Sequence, residues 1–157
     1  DGRLEHYDKR HLFRMAGEER HFAPGDRRVT VEIKGWRICP MVCYDLRFPV
    51  WSRSRGDCDL LVYVANWPAR RAHAWSALLR ARAIENVCYV AGVNRIGKDG
   101  NGASYAGDSV ALDFLGQALS SEGGGDRVET AVLDMESLKA YRESFPVHLD
   151  ADDFTLR

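Results

Sequence analysis

The sequence has no long hydrophobic run. Its most apolar stretches, LLVYVA (60–65) and CYVAGV (88–93), are short, far below the roughly 20 residues that a membrane-spanning helix needs. It has no excess of either charge. Lys and Arg number 22, Asp and Glu 23, and the net charge is -1. Nothing in that balance attracts nucleic acid or an anionic membrane surface. Cysteine is scarce: Cys39, Cys43, Cys58 and Cys88 show no CxxC pair and no Cys/His spacing of a zinc site. With no disulfide framework and no signal-peptide pattern, a reducing cytoplasm is the expected compartment. A phosphate-cradling loop is missing too, since GKDGNG (97–102) lacks the P-loop pattern and reads as a turn.

What is present suits one globular domain spanning 1–157. Hydrophobic residues make up 45% of 157 positions, enough for a single core, and no linker or repeat divides the chain. RVTVEIKG (28–35) alternates as a strand, with Val29, Val31 and Ile33 on one face. WRICPMVCY (36–44) continues as a more apolar strand, with an edge or bulge expected at Pro40. A short helix, VWSRSRG, follows Pro49. DLLVYVANW (59–67) and CYVAGVNRIG (88–97) read as buried strands. Between them AHAWSALLRARAIENV (72–87) is the clearest helix, its core row made of Trp75, Leu79, Ala83 and Val87. SVALDFLGQALSSE (109–122) predicts two strands meeting near Leu115-Gly116, VETAVLDM (128–135) another strand, and ESLKAYRESF (136–145) an amphipathic helix. The polar tail HLDADDFTLR is expected to lie over a surface or a partner. The whole is α/β with a mixed sheet.

The most informative cysteine is Cys43 in PMVCYDLRFP (40–49), where an apolar strand stops at a charged turn. A side chain there stands at the sheet edge, where open α/β proteins bind ligands, and the strand-to-helix turn is the geometry of a nucleophile elbow. By position alone Cys43 is either a nucleophile or a buried structural thiol, the role given to Cys39, Cys58 and Cys88. A nucleophile needs a base or cation beside it. Any of the five histidines is a formal partner; Lys9 in YDKRHLF and Glu18-Glu19 in GEERHFAPG are the more interesting charged groups upstream.

Taken in order, YDKRHLF, GEERHFAPG, CYDLRFP, ANWP, RAIEN and GDS resemble the nitrilase (carbon–nitrogen hydrolase) superfamily, and more narrowly its omega-amidases. The resemblance implies a four-layer α-β-β-α sandwich and a Glu–Lys–Cys triad. Cys43 matches the nucleophile. Lys9 matches the lysine that stabilises the oxyanion, and Glu18 the accessory glutamate, with Glu19 the neighbouring alternative. Tyr44 is expected to line the pocket and lend its backbone N–H to the oxyanion. Arg47 is the candidate for the acid end of a substrate such as 2-oxoglutaramate, or else a brace for Asp45 or a neighbouring loop. Asn66 and Trp67 are expected to shape the pocket, unless Trp67 is a core aromatic. RAIEN reads mainly as structure, Arg82 and Glu85 bracing one another or the active-site strands. Implied too are a small amide or nitrile as substrate, a homodimer, and no metal or organic cofactor.

The sequence departs from the family in two places. The base glutamate lies upstream of the lysine motif, and Glu5 is too close to Lys9 to fill that place. The chain is therefore expected to be the C-terminal portion of the domain, with the sandwich incomplete at its N-terminus. Alone it is expected to be poorly folded or inactive, leaving a binding or dimerisation module as the alternative function. The histidine that usually precedes the helix tryptophan is replaced by Ala74, with His73 about 100° away on the helix.

Overall fold

The structure, a computed structural model, describes residues 2, 4–121, 123 and 125–153. Residues 2 and 4–30 contain only two single turns, Arg14–Ala16 and Glu18–Arg20. The first strand, β1 (Val31–Ile33), turns at Lys34-Gly35 into β2 (Trp36–Val42), antiparallel to it. A five-residue 3-10 turn, Cys43–Arg47, and the short helix α1 (Pro49–Ser52) lead to β3 (Leu60–Ala65). The long helix α2 (Ala72–Asn86) crosses to β4 (Tyr89–Asn94). A small hairpin, β5 (Ile96–Lys98) with β6 (Ser104–Ala106), precedes β7 (Val110–Leu112). Helix α3 (Met135–Ser144) is N-capped by Asp134, whose carboxylate accepts from the Glu136 and Ser137 N–H groups.

The main sheet has the order β1-β2-β3-β4-β7. Its centre is parallel: Val42 lies opposite Val64, and Ala65 opposite Asn94. Both outer pairs are antiparallel. The mixed α/β sheet expected from sequence is therefore present. Pro40 sits in register opposite Val62, and β1 reaches no further than Ile38. Proline is thus tolerated because its other side has no ladder to feed; there is an edge and no bulge.

One face of this sheet presents Cys39, Met41, Leu61, Tyr63 and Val90 to Trp75, Leu79 and Ala83 of α2. Close approach needs Gly92, where a Cβ would come within 2.5 Å of Leu79 Cδ1. Hydrogen bonding to Cys58 and burial push the Cys39 thiol up, as suits a structural cysteine. Val87, at φ 45, ends α2 in the left-handed region. A second core joins α3 to the sheet through Leu138, Val87 and Tyr89.

Three expectations are corrected. Residues 128–134 form no strand: Val128 is 99% and Val132 84% exposed, so the alternation has no partner sheet to bury it. The second strand of 109–122 shrinks to one bridge, Leu112 with Ala118, after the Asp113–Gly116 turn. The helix after Pro49 lasts only one turn. Arg82 is buried, and its bonds to Glu85 and Leu46 O are the bracing expected of RAIEN. Residues 154–157 of the tail lie outside the described residues. Among the described residues no helix is long and apolar enough to cross a membrane.

Buried Asp59 ties α3 to the sheet. It accepts from Arg37 Nη2 at 2.6 Å and Arg142 Nη1 at 2.7 Å, while Arg142 also reaches Cys58 O and Val87 O. Burial alone would raise its carboxyl, but the hydrogen bonds from Arg37 and Arg142 outweigh that and hold it below the usual range. Asp59→Ala is expected to cost about 3 kcal/mol in urea unfolding, because both guanidiniums lose their anion. In the parent this stability should be complete above about pH 4 and fade as pH falls through the lowered carboxyl value. Equal unfolding midpoints for the two chains would contradict the assignment.

Candidate active site

The parallel strands β2 and β3 end at the same sheet edge, so the residues that follow them meet. Cys43 leaves β2 with φ 46, a left-handed conformation rare for a side chain larger than glycine. The Asp45 carboxylate closes the turn by accepting the Val42 N–H at 3.0 Å. This strained bend turns the thiol out of the strand and into a cavity of about 530 Å³.

The cavity is lined by Lys9, Glu18, Cys43, Tyr44, Arg47, Asn66 and Trp67, together with Phe13, Arg71 and Tyr105. Every residue that the resemblance assigns to the site, apart from the alternative Glu19, therefore lies on one wall or another. Lys9 Nζ donates to Glu18 Oε2 at 2.6 Å, and the Phe13 N–H donates to the same oxygen at 2.8 Å. Glu19 makes no such contact; its carboxylate lies 3.9 Å from Arg20 in an exposed pair. Glu5 pairs with Arg27 and is not part of the lining.

Burial pushes the Cys43 thiol up. The Lys9 charge and a backbone hydrogen bond from Asn66 pull the other way, while Glu18 and Asp45 add to the rise. Burial thus outweighs the neighbouring cation at Cys43. None of the five histidines lines the cavity.

Arg47 stands 5.0 Å over the Trp67 ring, and among the described residues it pairs with no carboxylate. It does not brace Asp45, which is held otherwise. Trp67 is buried yet contributes to the cavity wall, so it serves both roles offered by the sequence. Its backbone N–H donates to Asn94 Oδ1 at 2.7 Å, and Asn94 Nδ2 donates back to Trp67 O and to Gly107 O. Ser109 Oγ accepts from the Asn94 N–H, and Trp75 Nε1 donates to Asp108 O. The GDS motif therefore fixes the end of β3 from behind. RAIEN braces the Cys43 turn through Arg82 Nη2, which donates to Leu46 O at 2.6 Å, while Asn86 Oδ1 accepts the Ser54 N–H further along the chain.

Asp45, Tyr7, His11 and Gly25 were not singled out as site residues. Asp45 is fully buried and accepts from Tyr7 OH, the His11 N–H and the Val42 N–H, with His11 Nδ1 at 2.8 Å. Trp51 Nε1 donates to Tyr7 OH. Lys9 lies between Tyr7 and His11, so this carboxylate fixes its backbone beside Cys43. Gly25 presses from the other side: its N–H donates to Lys9 O, and a Cβ there would come within 2.1 Å of Asp8 O. The visible signal was the short spacing of an aspartate after the cysteine; its partners, 34 and 38 residues away, gave none. Among the described residues no group of three or more His, Cys, Asp or Glu is placed to hold a metal.

Residues 1–143 match the carbon-nitrogen hydrolase family model. The chain is 57% identical over 157 residues to omega-amidase YafV of Yersinia enterocolitica, covering 99% of this chain and 61% of that protein. It is 34% identical to the 2-oxoglutaramate amidase of Bacillus subtilis, covering 94% and 57%. A solved structure from Xanthomonas campestris, a CN-hydrolase superfamily protein with an arsenic adduct in its active site, superposes with a TM-score of 0.96 at 52% identity. That match covers 99% of this chain and 62% of the other. The chain thus spans about three-fifths of the length of these relatives, and its α/β fold is of the nitrilase type. Motif order, cavity and overall match agree: this chain belongs to the carbon–nitrogen hydrolase family.

Proposed function

We propose that the protein hydrolyses a small linear amide, 2-oxoglutaramate being the best candidate, through a thioester on Cys43. The observation that carries this reading is the Lys9–Glu18 pair lining the same cavity as a thiol on a strained turn. The names of the relatives favour omega-amidase chemistry over nitrile hydrolysis.

In this reading Cys43 Sγ bonds to the amide carbon and the carbonyl oxygen becomes an oxyanion. The Lys9 ammonium steadies it, with Tyr44 lending its backbone N–H. One such donor in a site shielded from water is worth roughly 3 kcal/mol. The carbon–nitrogen bond then breaks, and the thiol proton leaves on nitrogen as ammonia. Water next attacks the thioester, releasing the acid and restoring the thiol. Glu18 orients Lys9, since its Oε2 is already occupied by Lys9 and the Phe13 N–H. The further base glutamate implied by the resemblance has no counterpart among the described residues lining the cavity. Turnover by these 157 residues alone is accordingly expected to be weak. Arg47 takes the acid end of the substrate, and Asn66 and Trp67 shape the wall around it. A homodimer in the cytoplasm belongs to the same reading.

Two measurements test it. Such ammonia release from 2-oxoglutaramate as the parent shows should vanish in Cys43→Ala and fall about 100-fold or more in Lys9→Met; Cys43→Ala releasing ammonia at a measurable parent rate would refute the mechanism. The second is the pH dependence of Cys43 alkylation by iodoacetamide. Burial holds the thiol up, so the rate should rise with a midpoint above the ordinary value of about 8.5. Removing the Lys9 cation removes a group that favours the thiolate, so Lys9→Met should move the midpoint higher. A lower midpoint would contradict the electrostatic role of Lys9.

A further inference from the structure

The charge on the cavity wall is unbalanced. Three cations line it, Lys9, Arg47 and Arg71, against one carboxylate, Glu18. Lys9 and Glu18 are hydrogen-bonded to each other and offset one another. Two guanidiniums remain.

Arg71 was not picked out by any motif. It ends the single turn Ala69–Arg71 that leads into α2. Its guanidinium carbon lies 5.5 Å from the Phe13 ring, and Nη2 is 3.8 Å from Met15 Sδ. None of these neighbours is an anion, and among the described residues no carboxylate pairs with Arg71. Arg47 is in the same condition over the Trp67 ring.

Trp67 connects the two. Its ring carries Arg47, and its indole N–H donates to Arg71 O at 2.9 Å. Asn94 in turn fixes the Trp67 backbone. Trp67 therefore carries the Arg47 guanidinium and the Arg71 backbone, while the Arg71 guanidinium rests on Phe13. A planar fork of N–H donors resting on an aromatic face, with no protein acid to satisfy it, is suited to a carboxylate.

We propose that Arg71 is a second anion-binding residue of this site, reading the acid end of the substrate together with Arg47. This rests on the amidase reading above for the substrate class, and it adds a specificity-determining residue to it. The consequence is a site that selects amides of dicarboxylic acids over neutral amides. With Lys9 engaged by Glu18, a neutral amide would leave both guanidiniums without an anion.

The test is protection of Cys43 from iodoacetamide by 2-oxoglutarate, which requires binding and no turnover. In the parent, 2-oxoglutarate should slow alkylation. In Arg71→Gln the half-protecting concentration should rise about 10- to 100-fold, the range expected when a charged hydrogen bond is lost. Arg71→Lys keeps the charge without the fork and should fall between the two. Protection by the neutral pentanediamide should not move in either variant. The proposal is overturned if 2-oxoglutarate fails to protect the parent, or if the half-protecting concentration is the same in the parent and in the folded variants. Should Cys43→Ala release as much ammonia as an active parent while protection still depends on Arg71, the amidase reading fails and the anion site stands.

Discussion

The site depends on a single buried carboxylate. Asp45 accepts hydrogen bonds from the turn that carries Cys43 and from the segment that carries Lys9. Residues 4–13 have no helix or strand to fix them, so a side-chain clamp must do it. Two oxygens shared among Val42, His11 and Tyr7 hold both segments at once, in a place where an unmet donor would cost 1–3 kcal/mol. His11 stacks flat on Phe48 at 3.7 Å, and Trp51 secures Tyr7, so the clamp is itself enclosed. Gly25 then lies against Asp8 and Lys9 too closely for any side chain.

A second constraint works from the opposite wall. Parallel pairing of β2 with β3 brings Cys43 and Asn66-Trp67 to one edge, and α2 locks both strand ends. Arg82 reaches back to Leu46 O in the Cys43 turn, while Trp75 reaches Asp108 O beside the Asn94 network. The left-handed backbone at Cys43 persists because these contacts over-determine it. The thiol and Arg47 thus share one turn, while the Lys9–Glu18 pair and Arg71 come from other segments, brought together by contacts distant in sequence and not by local structure.

The sequence made some of this legible and not the rest, for physical reasons. Strands β3 and β4 and helix α2 were readable because their apolar runs and i+4 row are local patterns. The structure buries Leu61, Tyr63, Trp75 and Leu79 accordingly, but leaves Val64 and Val93 on the other sheet face half exposed, against the expectation of buried strands. Residues 128–134 misled, because alternation records the capacity to pair and not the presence of a partner strand. The bracing role of Arg82 was read from the RAIEN motif, but a helical wheel does not see Leu46 O approaching from another element. The lining residues Lys9, Glu18, Cys43 and Arg47 were reached through motif order; nothing in their spacing alone put them in one cavity. Arg71 had no motif and emerged only from the wall it lines.

The central claim is that Asp45 acts on Cys43 by holding Lys9 in place. A double-mutant cycle on the Cys43 alkylation rate tests this directly, using Asp45→Ala, Lys9→Met and the pair. Changes that act through one linkage fail to add, with coupling of about 0.5 kcal/mol or more. The account predicts that Lys9→Met changes thiol reactivity in the parent and has little further effect once Asp45 is gone. Full additivity of the two changes would show that Asp45 does not position Lys9, and would contradict it.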